Sequence, residues 1–149
     1  MKSISKCYGV PGLRLGVLAS GDREAIAAVK KDVAIWNINS FGEFFLQIAE
    51  KYKKDYTRSL ELLRAERSRM FGELQKIAGL RPIPSQANFI MVELTKGDDP
   101  KALLKALLGR HNLLIKELTA KTGGAYLRLA VRSSEDNDIL LRALREELE

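Results

Sequence analysis

One cysteine and one histidine in 149 residues leave little room for two common kinds of chemistry. A lone thiol, Cys7, cannot close an internal disulfide, so a reducing compartment is the expected home. Cys7 itself is read as a small buried hydrophobe. His111 has no second histidine or cysteine pair near it in sequence, which argues against a metal site and leaves it as a loop residue. No apolar run approaches the roughly 20 residues that a membrane-crossing helix requires. The first three residues, Met1-Lys2-Ser3, lack a signal-peptide core. These absences together predict a cytoplasmic protein with no membrane partner. Aromatic residues make up only 7%, and no aromatic-rich basic face or zinc-finger spacing occurs. The net charge of +6 is therefore expected on a solvated surface, partly available to anionic ligands, and not at a nucleic-acid site. No repeat or low-complexity tract is present.

What is there reads as an ordinary globular chain, with 46% hydrophobic and 30% charged residues. The length suits one domain, or a small domain with part of another. Alternating Leu13, Leu15 and Val17 predict a strand over 12–19, with Arg14 on the face opposite the leucines. Asp22 and Glu24 open a short helix over 23–31. Residues 33–39 are irregular. Ser40 with Glu43 forms a capping box for a helix over 41–51, along which Phe41, Phe44, Phe45 and Ile48 share one face. A long helix over 54–78 comes next, with Gly79 as its terminator. Pro82 and Pro84 then force extended chain into a central strand over 85–94.

Asp99 caps a helix opened by Pro100, with Leu103, Leu104, Leu107 and Leu108 as its buried face and Gly109 at its end. Residues 112–116 read as a short strand and 119–124 as a loop. The last strand, 125–131, puts Leu127, Leu129 and Val131 on one face and Arg128 on the other. Ser133-Ser134 cap a final helix over 135–147. The later part is thus expected as three strands and two helices, in a mixed α and β fold.

The candidate chemistry begins near the amino terminus, in SISKCYGVPGLRLG, residues 3–16. Two hydroxyls precede a lysine, a loop with glycine and proline comes after it, and an arginine stands eight positions beyond the lysine. Such a set can hold a phosphorylated aldehyde: the Lys6 amine as a Schiff base, with Ser3 or Ser5 and the Arg14 fork on the phosphate. A second candidate is Arg128, because a charge in mid-strand is costly unless it is paired.

The string resembles the lysine segment of the fold-type I pyridoxal-phosphate enzymes, the aspartate aminotransferase superfamily (class I/II), usually S-x-S-K followed by G-x-x-G-L-R-x-G. Within it, the similarity is greatest to the histidinol-phosphate aminotransferase and threonine-phosphate decarboxylase group. The resemblance implies that Lys6 is the Schiff-base lysine, that Arg14 binds the phosphate of pyridoxal 5'-phosphate (PLP), and that Ser3 is a second phosphate ligand. The run Tyr126-Leu127-Arg128-Leu129-Ala130-Val131 resembles the segment bearing the superfamily's substrate-carboxylate arginine, which implies that role for Arg128, with Arg132 as the fallback. Trp36-Asn37-Ile38-Asn39-Ser40 is similar to a segment that precedes the interdomain helix. Trp36 and Asn37 then border the active site, the other reading of Trp36 being core. Asn88, in the S-x-A-N-F pattern at 85–89, lies near the cofactor cleft or caps a turn.

The implied architecture is an α/β enzyme of which this chain holds 1–40, the last piece of the large cofactor domain, and 41–149, a linker helix and a small carboxy-terminal domain. That small domain, α+β in isolation, would be a short sheet covered by helices. The glycine-rich phosphate turn, the ring-stacking aromatic and the aspartate on the pyridine nitrogen find no match here. The expectation is a carboxy-terminal fragment of a PLP-dependent aminotransferase acting on an amino acid or amino-acid phosphate with a 2-oxo acid. It is expected to be idle alone, and as a whole to be a homodimer. The alternatives are a decarboxylase of the same fold and a non-catalytic dimerisation or interaction domain.

Overall fold

The computed structural model describes residues 1–149, except that the side chain of Lys6 lies outside the described residues. The chain forms two compact units, Met1–Arg58 and Ser59–Glu149.

In the first unit, β1 (Lys2–Ser3) pairs antiparallel with β2 (Gly16–Val17), Ser3 opposite Gly16. Between them lie α1 (Ile4–Cys7) and a 3-10 turn, Pro11–Leu13. The strand expected over 12–19 is thus reduced to two residues. Proline locks its own φ and starts the 3-10 turn, after which Arg14 stands in the left-handed region, φ 54 and ψ 39. Arg14 therefore sits at a bend and not on a strand face. Helix α2 (Arg23–Lys31) has the expected bounds, with Asp22 accepting from the Ala25 N–H at 3.0 Å.

Helix α3 (Ser40–Ile48) is capped by Asn39, whose Oδ1 accepts from the Gly42 N–H at 2.9 Å, and not by Ser40. It ends before residue 51 because a 3-10 turn, Ala49–Tyr52, intervenes before α4 (Lys53–Leu74). The apolar face of α3 is open in this chain: Phe41 and Phe44 are exposed. Trp36 is 91% exposed, which removes the core reading of that residue. Cys7 is exposed as well, contrary to the expectation of a buried hydrophobe.

The second unit is a four-stranded antiparallel sheet, one strand more than expected. It consists of β3 (Leu80–Ile83), β4 (Phe89–Leu94), β5 (Lys116–Glu117) and β6 (Tyr126–Ala130), in the order β3-β4-β6-β5. The added strand is β3, where Pro82 is tolerated because an edge strand can spare its N–H. Strand β4 is central as expected, but it starts at Phe89 because Ser85 turns the chain before it: its Oγ donates to Phe89 O at 2.6 Å and accepts from the Ala87 N–H at 3.0 Å. Helix α4 stops at Leu74, short of Gly79, and Gly79 (φ +91) closes the turn into β3.

Helix α5 (Pro100–His111) is capped by Asp99, which accepts from the Lys101 N–H at 2.9 Å. It runs through Gly109 to a left-handed Asn112, so His111 is a helical residue and not part of a loop. The short α6 (Thr119–Thr122) replaces part of the expected loop, and α7 (Ser134–Leu148) starts after the Ser133 cap. Alternation along β4 and β6 buries Ile90, Val92, Leu94, Leu127 and Leu129 against Met70 and Leu74 of α4, Leu103 and Leu107 of α5, and Leu140, Leu141 and Leu144 of α7. Each such leucine stabilises the unit by roughly 2 kcal/mol on transfer grounds. The positions between them, Met91, Arg128 and Ala130, belong to the opposite face of the sheet. No described helix is long and apolar enough to cross a membrane.

Candidate functional site

The lysine segment is a stapled hairpin. Ser5, only 2% exposed, accepts the Leu15 N–H at 2.8 Å and gives its own proton to Leu15 O at 3.2 Å. A serine has one proton to donate, so Ser5 has none left for a phosphate. Its hydroxyl instead ties the residue before Lys6 to the residue after Arg14. A second tie comes from Asn39, whose Nδ2 donates to Leu13 O at 3.0 Å. A third is the close seat of Gly42 on Leu15, where an added Cβ would stand 2.9 Å from Leu15 Cδ2. On the far side of Lys6, Tyr8 stacks on Tyr56 at 4.3 Å and meets Phe45 edge-on at 6.0 Å, while Tyr56 Oη donates to Cys7 O at 3.2 Å.

The backbone on both sides of Lys6 and Arg14 is therefore held, while Ser3 and the Arg14 guanidinium are left without a carboxylate partner among the described residues. Ser3 is exposed. The Arg14 guanidinium reaches only Pro11 O, at 3.5 Å, and no carboxylate among the described residues pairs with it. An exposed hydroxyl and an uncommitted guanidinium on one hairpin are a donor set that fits a phosphate. Trp36 and Asn37 lie exposed in the irregular 33–39 segment.

In the second unit, a cleft of about 620 Å³ is lined by Leu113–Glu117, Arg128, Ala130, Arg132, Asp136, Asn137 and apolar side chains of α5 and α7. It brings together both arginines singled out in sequence. Their situations differ. The Arg128 guanidinium lies 4.1 Å from the centroid of the Phe89 ring, and no described carboxylate pairs with it. Stacking on a ring occupies the flat face of a guanidinium and leaves its in-plane N–H fork free for a carboxylate. Arg132 is engaged, its Nε donating to Asp136 Oδ2 at 2.8 Å. That contact holds the Asp136 carboxyl below its ordinary value, against the opposing effect of burial.

Lys116 is the register partner of Arg128 across β5 and β6, so two cations share one face. Glu117, the next residue on β5, accepts from the N–H of Thr119 in its own turn. Asn137, 1% exposed, anchors the wall: its Oδ1 accepts from the Arg132 N–H and its Nδ2 donates to Arg132 O, both at 3.1 Å. The same Nδ2 donates to Glu66 Oε1 at 2.9 Å. Asn88 is exposed; its C=O accepts from the Val131 N–H at 2.9 Å, and the turn beside it is capped by Ser85.

Sequence reasoning missed Lys116, Phe89, Asp136 and Asn137 as parts of this wall. A signal existed for Asn137, which stands three before Leu140 and seven before Leu144, on the inward face of α7.

A family model described as aminotransferase class I and II matches residues 1–144. The chain belongs to this family. Its members use pyridoxal phosphate and are of fold type I. This aminotransferase-family chain is 36% identical over 149 residues to the CMP-5'-(3-aminopropyl)phosphonate synthase of Streptomyces rubellomurinus, covering 98% of this chain and 24% of that protein. It is 32% identical over 146 residues to the histidinol-phosphate aminotransferase of Desulfitobacterium hafniense, covering 98% and 39%. Among solved structures it is similar to a decarboxylase from Sulfurospirillum multivorans, with a TM-score of 0.88 at 30% identity over 99% of this chain and 43% of that one. The chain thus spans roughly a quarter to two fifths of the length of the relatives it matches, and the mixed helix-and-sheet fold agrees with theirs.

Proposed function

We propose that the chain carries the lysine hairpin and the substrate-carboxylate cleft of a PLP-dependent enzyme that acts on an amino acid or amino-acid phosphate and transfers its amino group to a 2-oxo acid. Pyridoxal phosphate, when bound, supplies an electron sink for the bond broken at the substrate's α-carbon. Ser3 and Arg14 would hold its phosphate, and the Lys6 amine would be the group that meets its aldehyde. Lys6 Nζ would serve as general base at the substrate's α-carbon. Arg128 would grip the substrate carboxylate with two parallel hydrogen bonds. Ser5 positions the hairpin and is not a ligand. Trp36, Asn37 and Asn88 are proposed to border the site, and the whole protein to act as a homodimer.

The observation that carries this reading is Arg128: a guanidinium oriented on Phe89, opening into a cleft, with no described carboxylate to neutralise it. The phosphonate and phosphate in the names of two relatives favour an anionic substrate. Decarboxylation is the second reading, favoured by the similarity to the Sulfurospirillum decarboxylase. The test is to incubate the whole polypeptide that carries this chain with PLP, reduce it with borohydride and map the modified peptide. Label on Lys6 is expected. Undiminished uptake and turnover after Lys6→Ala would sink the assignment. Carbon dioxide release against amino transfer, measured with an amino-acid phosphate and 2-oxoglutarate, separates the two reactions.

A further inference from the structure

Arg67 stands where helix α4 calls for an apolar side chain. Leu63, Met70 and Leu74 pack on the core, and Arg67 falls on the same stripe, four positions after Leu63 and three before Met70. A charged group on such a stripe is costly unless its donors are used. They are used on neutral acceptors: Nη1 donates to Ala87 O at 3.1 Å and Nη2 to Gln86 Oε1 at 3.3 Å, while no described carboxylate pairs with this guanidinium. We propose that Arg67 is a positioning residue, which sets the orientation of Arg128 by holding the 84–88 loop that leads into Phe89. This rests on the reading of Arg128 given above and adds the residue that keeps its fork in place.

Three features of the structure converge on it. The loop is closed at its two ends by other groups: Ser85 Oγ takes Phe89 O and the Ala87 N–H, and the Val131 N–H takes Asn88 O. Between those ends, the Ala87 carbonyl and the Gln86 side chain are held by Arg67. Packing does not fix the loop on the helix, because a gap of about 240 Å³ lies there, lined by Ser68 and Phe71 of α4 and by Pro84, Ser85 and Gln86 of the loop. The Arg67 fork bridges that gap, and a guanidinium suits the task because it reaches two acceptors at once with a rigid spacing that a lysine lacks. Hydrogen bonds from a charged donor are also stronger than those between neutral groups. The loop then delivers Phe89 to the first position of β4, opposite Ala130, where its ring lies 4.1 Å from the Arg128 guanidinium. A guanidinium stacked on a ring takes its plane from that ring, so a shift of the loop becomes a tilt of the Arg128 fork.

The experiment reads the Arg128 side-chain protons by NMR in the 149-residue chain, since protons above the face of the Phe89 ring are displaced upfield. Arg67→Met keeps the apolar stem on the core and removes the fork. It is expected to lose about half or more of that displacement and to accelerate amide exchange at Ala87 and Val131 by about tenfold, with exchange at the buried Leu127 within about twofold. Arg67→Lys, which keeps the charge but reaches one acceptor, is expected to recover only part of the displacement. Phe89→Leu is expected to abolish the displacement while leaving exchange at Ala87 unchanged, which puts the ring after the loop in the chain of contacts. In the whole polypeptide, Arg67→Met is expected to raise KM for O-phospho-L-serine about tenfold with kcat within about threefold. The proposal is overturned if Arg67→Met leaves the Arg128 displacement intact, or if exchange at Leu127 accelerates as much as at Ala87 and Val131, which is what a merely structural role would give. If the NMR and exchange results stand but Arg128→Gln leaves KM unchanged, the carboxylate reading fails and Arg67 remains the residue that holds Arg128.

Discussion

A single hydroxyl decides how the lysine hairpin is built. From the residues alone, Ser3 and Ser5 are both candidates for a phosphate, and only the family resemblance favours Ser3. The folded chain separates them by burial, because Ser5 spends its proton on Leu15 O while Ser3 stays exposed. Ser5→Ala should therefore act on the hairpin before it acts on any ligand. Loss of the bond to the Leu15 N–H is worth about 1 kcal/mol, so amide exchange at Leu15 should accelerate by about fivefold. Unchanged exchange would mean that the 2.8 Å contact does not hold the hairpin. The neighbouring Arg14 shows why side-chain direction was not legible. Alternation with leucines reads as a strand, and only the Pro11 turn and a left-handed backbone, neither of which periodicity reports, put the guanidinium at a bend.

Helices were legible where a cap and an apolar stripe agreed. Asp22, Asp99 and Ser133 each start a helix at or within a residue of the expected place. Ends were less legible, because they depend on how the next stretch of chain packs. Helix α4 stops at Leu74 and not at Gly79, and α5 continues through Gly109 to Asn112. Strand β3 was hidden by Pro82 and by the Pro84 that follows it, which argue against a central strand and say nothing against an edge. The cleft was half legible: Arg128 and Arg132 stand out as charges beside buried leucines, whereas Lys116 enters only through cross-strand register, which a linear pattern does not contain. Helix α3 offers a direct test of how one element positions the hairpin. Asn39 caps α3 with its oxygen and holds Leu13 O with its nitrogen. Asn39→Asp keeps the capping oxygen and replaces the donor with a second acceptor, so α3 helicity should persist while amide exchange over 13–15 quickens. Asn39→Ala should lose both, with a helix cost of about 1 kcal/mol. Equal behaviour of the two variants would show that the side-chain nitrogen contributes nothing.

In the molecule as a whole, stability in the second unit rests on one apolar core and a rim of engaged acids. The core prediction is simple: Leu144, 0% exposed, should cost about 3 kcal/mol on truncation to alanine, read as a lower urea midpoint. The rim makes the same unit sensitive to acid. Glu66 is held below the ordinary value of 4.5 by its hydrogen bonds from Arg69, reinforced by Asn137 and opposed by burial. Glu73 is lowered by Lys76 and Arg145, and Glu147 by the hydrogen bond from His111 and by Arg110. Glu117 is lowered by Thr119. A carboxyl whose folded pKa lies below its unfolded value binds fewer protons in the native state, so its contribution is complete above the unfolded value and disappears as pH falls through the folded one. With four glutamates acting in the same direction, the urea midpoint should be nearly flat from about pH 7 to 5 and fall progressively below about 4.5. Glu66→Gln should lower the midpoint near neutral pH and flatten the acid slope, because one of the groups that must be protonated is gone. A midpoint that rises on acidification, or an acid slope untouched by Glu66→Gln, would show that these carboxylates are bound no more tightly in the folded chain than in water.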